Sequence, residues 1–224
     1  MGSSPASSRV CAAPTIRGSG FPTASNPARP AWLRALASWT RAHGTLLVAD
    51  DIQMGCGRTG WLLSFETAGI IPDLICLSKS ISGYGTPMAL TLMRPEYDQW
   101  RPGEHNGTFP GLQPGLRHRR SSPGGAPVRR SPRRPHRGAR RADGLRGPRG
   151  RGLAWGLSMD RPGAAREVCD AALRAGLLLE TAGPQDEVAK LLRPLTVAVD
   201  HLEQGLAILD EAVAAVAGAR TLVV

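Results

Sequence analysis

An α/β fold followed by a smaller α+β portion is predicted by three observations. Leu46-Leu47-Val48-Ala49 is a continuous apolar run that ends in Asp50 and Asp51, and Leu74-Ile75-Cys76-Leu77 is a second that ends in Ser78 and Lys79. Short uninterrupted apolar runs bounded by turn residues are the pattern of parallel strands buried on both faces. Before the first run, Leu33, Leu36, Ala37 and Thr40 recur at helical spacing within residues 30–43, and Gly44 separates helix from strand. Helix, glycine and buried strand make half of a βαβ crossover. At the far end, Leu202, Leu206, Leu209, Val213 and Val216 line one face of a closing helix.

Taken in order, residues 1–25 are rich in Ser, Pro, Ala and Gly without periodicity. They are expected to be unstructured, with a disordered or aberrant N-terminus over 1–29. This start is Ser-rich and acid-free, as transit peptides are, but lacks the roughly 7–15-residue apolar centre of a secretion signal. In the helix over 30–43, Pro30 suits the first turn and Gly44 a left-handed C-cap. A strand follows over 45–49, then a short amphipathic or irregular piece over 61–69. Pro72-Asp73 marks a turn, 74–77 forms the second strand and 88–93 a third. Residues 94–113 are a polar loop containing Asn106-Gly107-Thr108-Phe109. Residues 30–113 thus read as one α/β unit.

Residues 114–150 are nearly all Arg, Pro, Gly, Ser and Ala, with no apolar spacing of 2 or 3.6, and are expected to be irregular. A small subdomain over 151–224 follows. Its strands are expected at 152–159, 177–179 and 191–197, the last interrupted by Pro194. A helix over 164–175 carries Val168, Ala171, Ala172 and Ala175 on one face and stops at Gly176. In the final helix Asp200 and Glu203 have capping-box spacing.

The composition narrows the function classes. At 224 residues the chain has room for one large domain or two small ones. No apolar run approaches the roughly 20 residues that span a bilayer. Cys11, Cys56, Cys76 and Cys169 are scattered, without metal-ligand spacing, which fits reduced thiols in a cytoplasmic protein. The net charge of +10 is local. Residues 114–150 hold twelve arginines against the single acid Asp143, a balance of +11, so the rest of the chain carries −1. That segment has no lysine and no interleaved aromatic residues for base stacking, so nucleic-acid binding is not the favoured reading.

The chemistry concentrates in residues 45–85. Open α/β sheets bind ligands beyond the carboxyl ends of their strands, where this sequence places a carboxylate and a lysine. A lysine in a partly desolvated pocket is a nucleophile toward carbonyls. Pyridoxal phosphate is the leading cofactor of that type, and it needs a carboxylate against its pyridinium nitrogen. Asp50 stands in the right class of position. Composition and spacing alone reach only a strand-end carboxylate and a strand-end lysine, which many α/β proteins share. Asp51 reads as a cap or turn carboxylate, Arg58 as a satisfied structural arginine, and Cys56 and Cys76 as packing residues. His43 and His105 read as surface or capping residues.

Specific motifs go further. Leu46-Leu47-Val48-Ala49-Asp50-Asp51-Ile52-Gln53, Gly55-Cys56-Gly57-Arg58-Thr59-Gly60, Pro72-Asp73 and Leu77-Ser78-Lys79-Ser80 closely resemble the class III, pyridoxal-phosphate-dependent aminotransferases. The resemblance runs from about residue 30 to 113 and resumes from about 150 to 217. It implies a partial type I fold of pyridoxal-phosphate enzymes, a large-domain sheet fragment plus the small C-terminal subdomain. It also implies transamination between a small-molecule amino donor and an aldehyde. By the resemblance Lys79 is the Schiff-base lysine and proton shuttle, Asp50 pairs with the pyridine nitrogen and Gln53 lies beside the cofactor's 3-hydroxyl. Thr108, after Gly107, reaches the phosphate of the neighbouring subunit's cofactor, so a homo-oligomer with its site at a dimer interface is expected. Lys190 falls where many members carry an arginine for the substrate carboxylate; without the bidentate fork it is not assigned that role.

Two departures from the family stand out. Members extend further upstream, where a phosphate-binding turn and a stacking aromatic ring lie, and residues 1–29 contain no replacement for either, so weak cofactor binding and an inactive product are expected. Residues 114–150 replace helices and a domain crossover. Arg, Pro, Gly and Ala have G- and C-rich codons, so a GC-rich coding sequence read out of frame between about residues 113 and 150 accounts for the mixture.

Overall fold

The computed structural model describes residues 9–14, 17–18, 21–22, 28–82, 87–104 and 145–218. They fall into two compact units, one holding residues 9–14 and 28–104, the other residues 17–22 and 145–218.

The first unit is a four-stranded sheet of order β1-β4-β5-β6. Its strands are β1 (Arg9–Pro14), β4 (Thr45–Asp50), β5 (Leu74–Leu77) and β6 (Leu90–Met93). The first three run parallel, and β6 is antiparallel to β5. The expectation of an unstructured start fails at β1, where Arg9 to Pro14 pair in unbroken register with Thr45 to Asp50. Val10-Cys11-Ala12-Ala13 is short, and its Ser- and Pro-rich flanks hide it, but six ladder pairs with a buried neighbour outweigh that local composition.

Helix α1 (Pro30–Ala42) feeds β4 as the spacing predicts, and Gly44 adopts a φ of 59° in the turn between them. Leu33 of α1, Ala49 of β4, and Phe65 and Ala68 around a 3-10 turn at Glu66–Ala68 form the core of this unit. Thr45, Leu47 and Ala49 are buried while the residues between them are half-buried. At the opposite end of the sheet Asp73 clamps three strands. Its carboxylate accepts the Leu47 N–H (2.8 Å) and an Arg94 N–H (3.2 Å), and its backbone bonds to Leu47 (2.9 Å) and Arg94 (3.1 Å).

The second unit is an antiparallel sheet of order β7-β8-β10-β9, covered by two helices. Its strands are β7 (Leu145–Arg151), β8 (Ala154–Met159), β9 (Glu180–Ala182) and β10 (Val188–Leu192). A two-stranded ladder, β2 (Arg17–Gly18) with β3 (Phe21–Pro22), groups with this unit. Helix α2 (Ala164–Arg174) buries Ala164, Ala165, Val168, Cys169 and Ala172, and helix α3 (Val199–Gly218) buries Leu209 and Ala212. They meet Leu157 and Met159 of β8 and Ala189 and Leu191 of β10.

Three expectations shift here. Residues 145–150, expected to be irregular, form most of β7. The short strand lies at 180–182 rather than 177–179, and the strand placed at 191–197 is centred earlier, at Val188–Leu192. Among the described residues, no helix is long and apolar enough to cross a membrane.

Candidate functional site

The organising edge is where the parallel strands β4 and β5 end. Asp50, the last residue of β4, is the register partner of Cys76 in β5. Leu77 closes β5, and Ser78 and Lys79 follow. Asp50 and Lys79 therefore leave the sheet at the same edge, as their strand-end positions predict.

The two adjacent carboxylates have separate roles. Asp51 is 1% exposed and holds the loop in place: its N–H donates to the Cys76 carbonyl (2.9 Å), its side chain accepts the Ser64 N–H (2.9 Å), and its carbonyl accepts the Gly55 N–H (2.9 Å). It is a turn carboxylate, as expected from its place after the strand. A Cβ on Gly55 would lie 2.8 Å from the Asp51 carbonyl oxygen and 3.0 Å from a Leu77 methyl, so only glycine fits where the loop folds back. Asp50 is half-buried, and one of its carboxylate oxygens accepts the Ile52 N–H (3.2 Å). This turns the chain toward Gln53, which is half-buried in the loop that opens from the same edge.

Lys79 opens a 3-10 turn, Lys79–Ile81, with a φ of 51°. A non-glycine residue in the left-handed region costs on the order of 1–2 kcal/mol, and such positions cluster at functional sites. The turn is pinned from several sides. Ile81 is 3% exposed, the Ser82 hydroxyl donates to the Lys79 carbonyl (3.2 Å), and the Ser78 hydroxyl donates to the Met88 carbonyl (2.8 Å). The Lys79 side chain is exposed and, among the described residues, has no acid within ion-pair distance. The expectation of a partly desolvated lysine is corrected: the chain turns outward after β5 and carries the amine to the surface of the unit.

Arg58, expected to be a satisfied structural arginine, joins the two loops. Arg58, in the glycine-rich loop, donates from Nη2 to the Ser80 hydroxyl (3.3 Å) beside Lys79. Burial pulls the Arg58 pKa below the ordinary arginine value, opposed by the neighbouring Cys56 thiol. A guanidinium kept in a half-buried position despite that penalty acts as a strut between the loop and the lysine turn. The GCGRTG spacing marked the loop but gave no sign of its partner.

The remaining residues divide as follows. His43 stacks on Trp39 with ring centroids 4.2 Å apart, and its Nδ1 lies 2.8 Å from the Trp39 carbonyl, a capping role as expected. Lys190 lies in the second unit and pairs with Glu180 at 2.7 Å. Gly107, Thr108 and His105 lie outside the described residues. The side chains on the β4–β5 edge suit pyridoxal phosphate by type: an accessible primary amine for an aldehyde, a half-buried carboxylate for a ring nitrogen, and an amide for a phenolic oxygen.

Residues 15–113 match the family model for class-III aminotransferases, which begins earlier than the motifs near residue 30. A diaminobutyrate–2-oxoglutarate transaminase of Streptomyces coelicolor is 46% identical over 213 residues, covering 89% of this chain and 50% of that protein. The Vibrio cholerae protein of the same name is 40% identical over 216 residues, covering 88% and 50%. The chain thus spans about half the length of the curated relatives it matches. Among solved structures, N-acetylornithine aminotransferase from Stenotrophomonas maltophilia is 27% identical with a TM-score of 0.71, covering 94% of this chain and 57% of that one. Ornithine aminotransferase from Toxoplasma gondii, 23% identical, shares the fold at a TM-score of 0.73 over 93% of this chain and 51% of its own.

Proposed function

The chain belongs to the class III aminotransferase family, and from that premise we propose that its site serves the diaminobutyrate–2-oxoglutarate reaction. An amino group leaves L-glutamate, which becomes 2-oxoglutarate, and arrives on L-aspartate 4-semialdehyde, which becomes L-2,4-diaminobutyrate, a precursor of ectoine. The observation that carries this reading is the exit of Asp50 and Lys79 from one edge of the β4–β5 pair.

By this reading Lys79 would hold pyridoxal 5′-phosphate through its aldehyde, with Asp50 serving the ring nitrogen and Gln53 the ring hydroxyl. Gly107 and Thr108 serve the phosphate across a dimer interface, so the working form is a homo-oligomer. When bound, the cofactor supplies an electron sink next to the substrate α-carbon. The protein's share is positional and protolytic. The Asp50 carboxylate would favour a proton on the ring nitrogen. The Gln53 amide would donate a hydrogen bond to the ring oxygen and help hold the ring. Lys79 would take the proton from the substrate α-carbon and return it on the other side of the exchange. Arg58 and Ser80 hold the turn so that the amine keeps one direction of approach.

The test is direct. Adding pyridoxal phosphate to the chain is expected to produce an absorbance band near the visible edge, and Lys79→Ala to lack it. Incubation with glutamate and a panel of aldehydes then distinguishes aspartate semialdehyde from the substrates of other class III ω-aminotransferases. A chain that turns over a different aldehyde preferentially contradicts the substrate assignment and leaves the family intact.

A further inference from the structure

Helix α1 has a second apolar surface besides the one it packs on the core of the first unit. Leu33 is buried against Ala49, Phe65 and Ala68, as a surface helix requires of one face. The opposite face of such a helix is ordinarily charged or polar, yet here it carries Trp32 and Trp39, which are 48% and 53% exposed. At 3.6 residues per turn these two indoles lie on one line along the helix, and the exposed Arg34 and Arg41 lie on another. The short side chains of Ala35, Ser38 and Ala42, all exposed, fall between the two lines. His43 stacks on Trp39 at 4.2 Å and braces that end of the aromatic ridge.

The charge on this face is one-sided. α1 contains no acid, and the first acid in the whole chain is Asp50. Among the described residues, neither Arg34 nor Arg41 has an acid within ion-pair distance. Tryptophan and arginine are the side chains that most often dominate binding energy at protein interfaces.

These features select among occupants. A second copy seated helix to helix would gather four arginines and bring no acid from its own α1, so repulsion opposes it. Membrane-binding basic segments carry about four to eight Lys and Arg residues, whereas α1 has only Arg34 and Arg41, with Arg29 at its N-cap. The two lines run side by side from residue 32 to 42, a length of about 15 Å at the helical rise. A straight partner with apolar residues along one edge and carboxylates along the other matches both. We propose that this face of α1 docks an acidic amphipathic helix of a partner protein, its apolar residues on Trp32 and Trp39 and its carboxylates on Arg34 and Arg41.

The experiment is an anisotropy titration of a dye-labelled three-heptad peptide with the full chain. The peptide has Leu at its a and d positions and Glu at e and g, and a second peptide has Lys in place of Glu. The expected result is saturable binding of the Glu peptide, at least tenfold weaker in Trp32→Ser. Reversing the charge with Arg34→Glu and Arg41→Glu together is expected to lose the Glu peptide and gain the Lys peptide. Arg34→Gln with Arg41→Gln, expected to weaken the Glu peptide at least tenfold, decides the question if the reversed chain does not fold. Absence of saturable binding overturns the proposal. So does Glu-peptide binding that the folded charge-reversed or neutralised chain retains, which would place it on other basic residues such as the arginines of 114–150. Sedimentation showing a wild-type dimer that Trp32→Ser dissociates would assign the face to a second copy instead. Tighter, Trp32-dependent binding to phosphatidylserine vesicles than to the peptide would assign it to a membrane.

Discussion

Asp50 and Asp51 are neighbours in sequence with opposite fates, and the difference lies in what each one touches. Asp51 is buried and ties β4 to β5 and to Ser64, whereas Asp50 stands at the strand end with a half-buried carboxylate. The apolar run before them revealed the strand end, and the family motif indicated which carboxylate matters. The Arg58–Ser80 contact was not legible, because the residues are 22 apart and only the fold brings them together. If Arg58 positions the lysine turn, Arg58→Met and Ser80→Ala each weaken cofactor binding by about tenfold, the size of one hydrogen bond to a charged group. The double variant is no worse than either single one, since both remove the same link. Titration of the four proteins by absorbance checks this, and additive losses would contradict the shared link. At Cys169, 5% exposed and with its thiol pKa pushed up by burial, labelling by a maleimide is expected to be far slower than at half-buried Cys56. Mass spectrometry of the labelled peptides reads the order, and it should invert or vanish only on unfolding.

Elements with strong periodicity appeared where the sequence placed them. Helix α1 and the 74–77 strand agree to within a residue, and α2 carries the expected apolar stripe. Two of the misses, β1 and β7, share a cause: each is an edge strand in the order of its sheet. β7 contains Pro148 and several arginines, which an outer strand tolerates because one side of its ladder is unpaired. Within it, Gly150 faces Trp155 so closely that a Cβ would lie 2.2 Å from the Ala154 carbonyl oxygen. Gly150→Ala is therefore expected to destabilise the second unit by about 1–3 kcal/mol, measured by denaturant unfolding. In the first unit, Asp73→Ala strands the Leu47 N–H and releases Arg94, with a similar cost of about 1–3 kcal/mol. Acid should act on α2. Arg161 donates to both Glu167 oxygens at 2.7 and 2.5 Å, and these bonds hold the Glu167 pKa below its ordinary value. The folded pKa is thus the lower one, so the stabilisation is present above the usual glutamate range, near 4.3, and is lost as pH falls through the folded value. Glu167→Gln should melt below wild type at neutral pH and match it in strong acid.

At the scale of the whole chain, the sequence contains two family-like stretches separated by an arginine-rich segment. The alignment to the Streptomyces coelicolor relative spans 89% of the chain, so it runs across residues 114–150 rather than stopping at them. An out-of-frame reading of GC-rich DNA explains a segment that keeps its place between matched halves while losing their character. Translating the coding DNA of 114–150 in the shifted frames is expected to yield an aminotransferase-like stretch, and its absence would contradict the frameshift. The fold class was legible because buried parallel strands write themselves as apolar runs, whereas β1 and β7 depend on partners far along the chain. The central claim is that Lys79 at the β4–β5 edge holds pyridoxal phosphate. Absorbance titration of the full chain with pyridoxal phosphate, followed by borohydride fixation and peptide mapping, tests it most directly. A saturable band near the visible edge is expected, absent in Lys79→Ala, with the fixed cofactor mass on the peptide containing Lys79. A wild-type chain with no such band, or a band that Lys79→Ala retains, would contradict it.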